Sequence, residues 1–263
     1  MTTVNDIVSY METIAPQRKK ESWDNVGLSC GRPDKQVRTI LVALDPFEDV
    51  AEEAVSLGAD LIVTHHPLLF HPAYQVTSDS AIGRTILALV RHDIAAFSAH
   101  TNLDIAPEGV SACLAASLGL EHISVIHPAE TDESGKVWGL LRQGTVPEQP
   151  LDSFLAHVKQ ALHAPALRYA SAGRSVHHVA VGGGACADEW KTALEAGCDT
   201  FVTADAKYND FWDARDAGLT LIDAGHFYTE NPVCAYLQRI LQEAFPEVTV
   251  LVSQIHRDCT KFF

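Results

Sequence analysis

Histidine and acidic side chains come directly after several apolar segments of this chain. Five of them are His65, His66, Asp104, His226 and Glu230. Divalent transition metals bind imidazole nitrogen and carboxylate oxygen. A two-metal site, with ions about 3.5–4 Å apart, commonly has a bridging carboxylate and nitrogen ligands on each ion. The sequence therefore predicts two divalent ions per chain, of zinc, manganese, iron or nickel.

His100 belongs to the same pattern, because it lies four residues before Asp104 just as His226 lies four residues before Glu230. A spacing of four places both side chains on one face if the segment is helical. The pattern leaves two roles open for His100, a metal ligand or a donor that orients Asp104. His100 is also the candidate for the catalytic acid or base.

Structural explanations compete with these assignments. Asp104 also suits the cap of a helix predicted at 107–118, and Glu230 suits a first helical turn, where the helix dipole favours acids. His71 is left open between the site and the surface. Seven further histidines are predicted to be hydrogen-bonded or exposed residues: His122, His127, His157, His163, His177, His178 and His256. Because the five candidate ligands share one position at strand ends, the metal interpretation is favoured.

Two further segments have alternative interpretations. GGGA at 182–185 follows a predicted strand and begins a helix, which is also where a phosphate-binding loop would lie. It lacks the Lys-Ser/Thr and the G-x-G-x-x-G spacing of such loops, so a tight turn is favoured. WDNVGL at 23–28 is interpreted as a loop beside the site or as a turn packed by Trp23. No G-x-S-x-G segment is present, so a Ser-His-Asp hydrolase has no recognisable frame.

Alternating strands and helices would position these residues. Apolar runs predict strands at 37–45, 59–65, 94–99, 122–126, 136–146 (one strand or a tight pair), 176–183, 199–203, 219–223 and 248–252. Helices are predicted between them, at 46–57, 80–91, 107–118, 151–163, 186–196, 207–217 and 230–244, with Asp45 capping the first and Pro46 opening it. This alternation is typical of an α/β fold with a largely parallel sheet.

An internal repeat indicates two related halves. The segment 40–66 aligns without a gap with 179–205, so that a glycine, an aspartate and a Val-Thr pair fall at the same positions. Thr64 aligns with Thr203, which predicts that both strands end there and that the two adjacent histidines begin a loop. The regular alternation of predicted strands and helices is interrupted near residue 127. We therefore expect mixed sheets flanked by helices in two α/β domains, 1–126 with 231–263 and 127–230.

Composition limits the class of protein. The 263 residues suffice for two small cores, and the formal net charge of −15 disfavours binding of nucleic acid. None of the six cysteines forms a C-x-x-C pair, which suits a reducing compartment. The first residues do not resemble a signal peptide, and no apolar run approaches the roughly 18 residues of a membrane span. A cytoplasmic protein without membrane contact is expected.

Four motifs together resemble the Nif-three-like family, many members of which carry the name GTP cyclohydrolase I type 2 homologue. They are WDNVGL (23–28), GADLIVTHHPLLF (58–70), HTNLD (100–104) and GHFYTE (225–230), and they occur in the family's order. The resemblance covers essentially the whole chain. The chain length implies the short form, without the domain that some members carry between the halves.

The resemblance implies two α/β domains, a dinuclear metal site at the domain interface and a toroidal homohexamer. The metal ligands that it implies are the same five: His65, His66, Asp104, His226 and Glu230. The chain departs from the family at Ala204, where glycine is usual, and at Asn209, where histidine is common. Because of these departures, the resemblance implies no substrate contact for that segment, whereas the five implied ligands are unaffected.

Two classes of function are consistent with these features. The first is a metal-dependent hydrolase of a nucleotide-like small molecule, by GTP cyclohydrolase or phosphoester chemistry. The alternative is a metal-binding regulatory or assembly protein without enzymatic activity. A ring that binds nucleic acid through its cavity is a third possibility, and the charge of −15 disfavours it.

Overall fold

The computed structural model describes the whole chain, residues 1–263. The helices are α1 Val4–Ile14, α2 Glu48–Leu57, α3 Ala81–Arg91, α4 Thr101–Asp104, α5 Val110–Ser117, α6 Leu151–Ala161, α7 Trp190–Glu195, α8 Tyr208–Asp216, α9 His226–Glu230 and α10 Pro232–Ala244. The strands are β1 Gly27–Cys30, β2 Thr39–Ala43, β3 Leu61–Thr64, β4 Ala95–Ser98, β5 Glu121–Ile126, β6 Glu130–Thr131, β7 Val137–Trp138, β8 Leu141–Gln149, β9 Arg168–Ala170, β10 Val176–Val181, β11 Thr200–Thr203, β12 Thr220–Asp223 and β13 Thr249–Val252. No helix combines the length and the apolar character that a membrane span requires.

The chain divides into two compact units. The first unit comprises Met1–Leu103 and Val233–Asp258, and the second comprises Asp104–Pro232 and Cys259–Phe263. The sequence placed the first crossing between domains near residue 126, whereas the chain passes into the second unit already after Leu103. The physical reason is strand pairing: β5 forms an antiparallel ladder with β8, which belongs to the second unit's sheet.

The first unit contains a five-stranded sheet in the order β1-β4-β3-β2-β13. All of its ladders are parallel except the one between β1 and β4. One core cluster packs Leu41 and Ile62 of the sheet against Ala54 of α2 and Leu89 of α3, all fully buried. Each such aliphatic side chain larger than alanine stabilises the fold by about 1.5–3 kcal/mol. Because β2, β3 and β4 are parallel, the segments that follow them leave the sheet at the same edge.

The second unit contains a six-stranded mixed sheet in the order β5-β8-β10-β11-β12-β9. Alternate residues of β10 enter different cores, with Val179 and Val181 in one cluster and Ala180 in the other. Phe154 of α6 contributes to the first cluster and Trp190 of α7 to the second. Helices therefore cover both faces of the central strands, which explains why these strands are apolar without alternation.

The internal repeat corresponds to one supersecondary unit, formed by β2-α2-β3 and again by β10-α7-β11. Gly58 and Gly197 follow the two helices with φ of 63° and 84°, in the left-handed region that favours glycine. The carboxylates of Asp60 and Asp199 each accept two backbone N–H bonds from the beginning of the preceding strand of their own unit. The repeated glycine and aspartate thus have the same local function in each half.

Two predicted local structures are wrong. Helix α2 begins at Glu48 after Phe47, so Asp45 does not cap it and Pro46 does not open it. The segment 136–146 does not form a tight pair with itself, because β7 pairs with β6 whereas β8 pairs with β5 and β10. In both places a partner distant in sequence determines the outcome.

Several short or terminal elements were not predicted from the sequence, among them α1, β1 and β9. Helix α1 starts with a capping box, in which the backbone N–H of Thr3 donates to Asp6 at 2.8 Å and that of Asp6 donates to the Thr3 hydroxyl at 3.3 Å. It buries Val4, Ile7 and Met11 completely. The T-x-x-D signal for this helix is therefore present in the sequence.

Candidate metal centre

Three histidines of the first unit form one group. His65 and His66 follow β3, and His100 follows β4, so that parallel pairing of the two strands brings the three rings together. Nitrogen atoms of the three rings lie within 4.8 Å of one another. Groups of this kind supply the nitrogen ligands of zinc, iron, manganese and nickel.

The adjacent histidines avoid the alternation of a strand, because β3 ends at Thr64 as predicted. The hydroxyl of Thr64 donates to the carbonyl of His66 at 2.7 Å, and the backbone N–H of His66 donates to the carbonyl of Leu44 at 2.9 Å. The rings of His65 and His66 consequently lie on the same side, with centroids 4.9 Å apart. These two bonds fix the turn. The turn allows the rings of two consecutive residues, His65 and His66, to belong to the same histidine group.

Each of the three rings uses Nδ1 in a hydrogen bond to an oxygen acceptor. His65 Nδ1 lies 2.9 Å from the carbonyl oxygen of Ala99. His66 Nδ1 lies 2.7 Å from a carboxylate oxygen of Asp45, and His100 Nδ1 lies 3.0 Å from one of Asp24. Such bonds fix the tautomer of metal-binding histidines and orient the other ring nitrogen toward the metal. The donor set therefore fits a divalent metal bound through Nε2 of each ring.

Asp24 orients His100 from within the segment WDNVGL. Its side chain is buried, and it also accepts bonds from the backbone N–H of Thr101 at 3.1 Å and from the Thr101 hydroxyl at 2.6 Å. Burial alone would raise the pKa of Asp24, but the bonds from Thr101 and His100 outweigh it and hold the pKa below its usual value. Of the two interpretations of this segment, the structured loop beside the site is therefore the better description.

Asp45 orients His66 in the same way. Its second carboxylate oxygen lies 2.9 Å from Nε2 of His256, which is buried in the C-terminal segment of the first unit. Burial opposes the charged form of Asp45, yet the two histidines lower its pKa well below the usual value. The carboxylate interpreted as a helix cap thus holds a candidate ligand, and His256 is a hydrogen-bonded residue as predicted.

The second unit contains another group, on α9. His226 and Glu230 lie one turn apart, and Nε2 of His226 is 3.0 Å from a carboxylate oxygen of Glu230. Nδ1 of His226 lies 2.7 Å from a carboxylate oxygen of Asp205, which repeats the pattern of the first unit. A carboxylate oxygen of Asp104 lies within 4.8 Å of one of Glu230. This group supplies one nitrogen and two carboxylate ligands.

The glycine run forms a cradle for Glu230. Gly184 has a φ of 65°, and a Cβ atom at this position would lie 2.0 Å from Oε1 of Glu230 and 3.3 Å from Cε1 of His226. The backbone N–H of Gly184 donates to the hydroxyl of Thr229 at 3.0 Å. The run is a tight turn, as predicted from the sequence, and its lack of side chains also leaves space for the Glu230 side chain.

Cys186 lies close to this group without belonging to it. Burial raises the pKa of its thiol, and the negative charges of Asp104, Glu230 and Glu189 raise it further. The thiol is therefore protonated at neutral pH, and it donates to the carbonyl of Gly183 at 3.1 Å. The ligand atoms that this group provides are therefore imidazole nitrogen and carboxylate oxygen.

The structure thus arranges the sequence-predicted residues in two groups. His65, His66 and His100 belong to the first unit, and Asp104, His226 and Glu230 belong to the second. His71, which the sequence left open, is exposed to solvent. The assignment of these residues as ligands of one dinuclear site remains a prediction.

Four residues that orient or accommodate these groups were not identified from the sequence: Asp24, Asp45, Asp205 and Gly184. For Asp205 a signal was present, because the internal repeat aligns it with His66. For Asp24 and Asp45 the nearest signal is their place at loops next to predicted strands. Their position in the sequence does not predict which histidine Asp24 or Asp45 contacts.

We expect the stability of the metal-free protein to depend on pH through His226. Burial alone would lower the pKa of His226, but bonds and charges from Glu230 and Asp205 outweigh it and raise the pKa to about 9. Because the folded pKa lies above the unfolded value of about 6.5, protonation stabilises the fold. This contribution is complete below about pH 6.5 and is lost as the pH rises through about 9.

The measurement is thermal unfolding of chelator-treated wild type and His226→Gln at about pH 6 and about pH 9.5. The difference in Tm between the two proteins should shrink at the higher pH. His178→Gln, which changes an exposed histidine outside the groups, is the control. A difference that is equal at both pH values would contradict the raised pKa of His226.

Comparison with known proteins gives consistent matches over the whole chain. The family described as Duf34/NIF3 (NGG1p interacting factor 3) matches residues 2–259. A Clostridium perfringens protein named GTP cyclohydrolase 1 type 2 homolog is 35% identical over 264 residues, which cover 98% of this chain and 99% of that protein. A Streptomyces coelicolor protein of the same name is 36% identical over 243 residues, 89% of this chain and 84% of that protein.

Solved structures show the same fold. The crystal structure of Staphylococcus aureus protein SA1388 matches with a TM-score of 0.92 and 28% identity, covering 100% of this chain and 99% of that chain. A Bacillus cereus protein related to NIF3 matches with a TM-score of 0.93 and 26% identity at the same coverage. The mixed α/β architecture is therefore shared along the entire length.

Proposed function

Because the chain belongs to the Duf34/NIF3 family, we propose that it is a metal-dependent hydrolase of a nucleotide-like small molecule. The observation that carries the proposal is the repeated arrangement of imidazoles. Four histidines in two groups each have Nδ1 hydrogen-bonded to an oxygen atom, which is the arrangement of metal-binding histidines. The name GTP cyclohydrolase 1 type 2 homolog of the relatives suggests the substrate class.

We assign two divalent ions to five ligands. His65 and His66 supply nitrogen from the first unit, and Asp104, His226 and Glu230 supply oxygen and nitrogen from the second. In this proposal the two groups would hold the ions together, and Asp104 would be the carboxylate shared by both ions. Bound divalent ions of this kind lower the pKa of a coordinated water and polarise the bond under attack.

The surrounding carboxylates have a positioning role in this proposal. Asp45 and Asp205 hold the rings of His66 and His226 in one tautomer, in which Nε2 would be the atom that binds a metal. Loss of such partners commonly lowers metal affinity about 10–100-fold. The chain thus uses several acidic side chains to orient histidines, which suits a site that needs a defined geometry.

His100 is assigned the transfer of a proton. Its Nδ1 is held by Asp24, so Nε2 is the atom that would accept or return a proton. Its place among His65 and His66 also supports a role as a third nitrogen ligand. Retention of bound metal in a His100→Gln variant with impaired turnover supports proton transfer, whereas loss of metal makes His100 a ligand.

The alternative is a metal-binding regulatory or assembly protein. Five protein ligands for two ions leave open coordination positions, and open positions favour catalysis over a purely structural role.

In either case we propose a toroidal homohexamer, from the resemblance to the family. We also propose a reducing cytoplasmic setting, because the cysteines form no disulfide.

The experiment that tests the proposal is an assay of purified protein after metal analysis. Protein reconstituted separately with zinc, manganese, iron and nickel is incubated with GTP, and formate and inorganic phosphate are measured. Release of either product in proportion to bound metal is expected, and chelator-treated protein is the control. Stoichiometric metal without hydrolysis under any of these conditions would favour the regulatory alternative.

A further inference from the structure

Two aromatic side chains of the first unit are exposed beside the histidine group. Trp23 is 60% exposed and Phe70 is 45% exposed. Their rings are nearly parallel, with an interplanar angle of 13° and centroids 6.4 Å apart. Single exposed apolar residues are common on protein surfaces, but two large rings aligned in this way form an organised aromatic surface, here called the Trp23–Phe70 platform.

Polar contacts next to each ring hold this platform in place. The side chain of Asn25 donates to the carbonyl of Leu69 at 2.6 Å, which ties the loop that carries Trp23 to the loop that carries Phe70. The backbone N–H of Asn25 also donates to its neighbour Asp24 at 2.8 Å. The buried Asp24 is itself fixed by the bonds described above. The two loops therefore present their rings without having to become ordered on binding, which lowers the entropic cost of binding.

Both rings stand edge-on to His100. Its ring centroid lies 5.9 Å from that of Trp23, at an interplanar angle of 72°. It lies 5.3 Å from that of Phe70, at 73°. A flat molecule that stacks on the platform would consequently lie next to the imidazole group. The platform is thus in a position to hold the substrate rather than to pack the core.

The chemistry of the platform selects a planar, aromatic ligand. Aromatic side chains bind nucleobases by stacking, and this is worth about 1–3 kcal/mol per base with little dependence on the base. We propose that the Trp23–Phe70 platform binds the heterocyclic base of the substrate. This inference rests on the proposed function, because it takes the substrate to be nucleotide-like. It adds that recognition depends on the ring and not only on the phosphate groups.

The test compares three probes on manganese-reconstituted protein by calorimetry: GTP, guanosine and tripolyphosphate. Trp23→Ala should weaken the binding of GTP and guanosine about 5- to 150-fold, the range for loss of one stacking contact. It should leave the binding of tripolyphosphate unchanged, because that probe has no ring. Trp23→Phe retains an aromatic face and should recover most of the lost affinity.

The matched control is Trp212→Ala, which removes another exposed tryptophan, on α8, that contacts Arg215 instead of the histidine group. Equal weakening of tripolyphosphate, an unchanged affinity for guanosine or no guanosine binding by wild type would each overturn the proposal. So would a change of oligomeric state in Trp23→Ala by sedimentation, which would make the platform an interface between copies. Base-selective binding without GTP hydrolysis would refute the proposed function and leave the platform intact.

Discussion

An Asp104→Ala variant should lose most of its bound metal. In the proposed bridging role this carboxylate would bind both ions, so its removal would weaken the binding of both. Replacing a partner that only orients a ligand already costs about 10–100-fold in metal affinity, and loss of a direct ligand should exceed that range. Metal analysis of purified wild type and variant after dialysis against metal-free buffer gives the result directly.

Asp104→Asn separates the effect of the negative charge on metal binding from the effect of side-chain volume. The amide keeps the volume of the side chain but lacks the negative charge, so metal content should also fall while the fold is retained. Asp213→Ala, which removes an exposed acid of α8, should keep the full metal content. Full occupancy in Asp104→Ala would refute the bridging role.

A Gly184→Ala variant should also lose metal, by a different route. The added Cβ would lie 2.0 Å from Oε1 of Glu230, a distance that forces the Glu230 side chain to move. The left-handed φ of 65° adds a backbone cost of about 1–2 kcal/mol for any residue with a Cβ. We expect a lower free energy of unfolding together with weaker metal binding by Glu230 and His226.

Gly197→Ala is the matched control. An alanine at this position would have a strained backbone conformation, but its Cβ would not clash with any neighbour. Gly197 has a φ of 84°, and a Cβ there would meet nothing within 4 Å. The Gly197→Ala variant should lose about 1–2 kcal/mol of stability from the left-handed backbone conformation alone. It should keep its metal. Denaturant unfolding and metal analysis of both variants provide the comparison. Equal metal content in the two would show that Gly184 has no role in placing Glu230.

Much of the fold was predictable because its signals are local. The end of β3 at Thr64 followed from the internal repeat, and the glycines after α2 and α7 adopt the left-handed conformation that closes a helix. Apolar runs identified the central strands of both sheets because helices cover these strands on both faces. The candidate ligands followed from residue type and from their common place after strands.

Other features depend on contacts between residues distant in sequence. Asp45 has the local context of a helix cap, yet its carboxylate contacts His66 and His256, the latter 211 positions away. The unit boundary falls after Leu103 because β5 pairs with β8, and no local pattern announces that pairing.

The sequence by itself determined the α/β class, the repeated strand-helix-strand unit and the types of ligand available, because periodicity and turn chemistry act over a few residues. Only the tertiary structure decided which oxygen atom orients each histidine, and that Gly184 makes room for Glu230. The reason is that hydrogen bonds and steric contacts depend on distances of about 3 Å. The packing of the folded chain sets such distances between residues far apart in sequence.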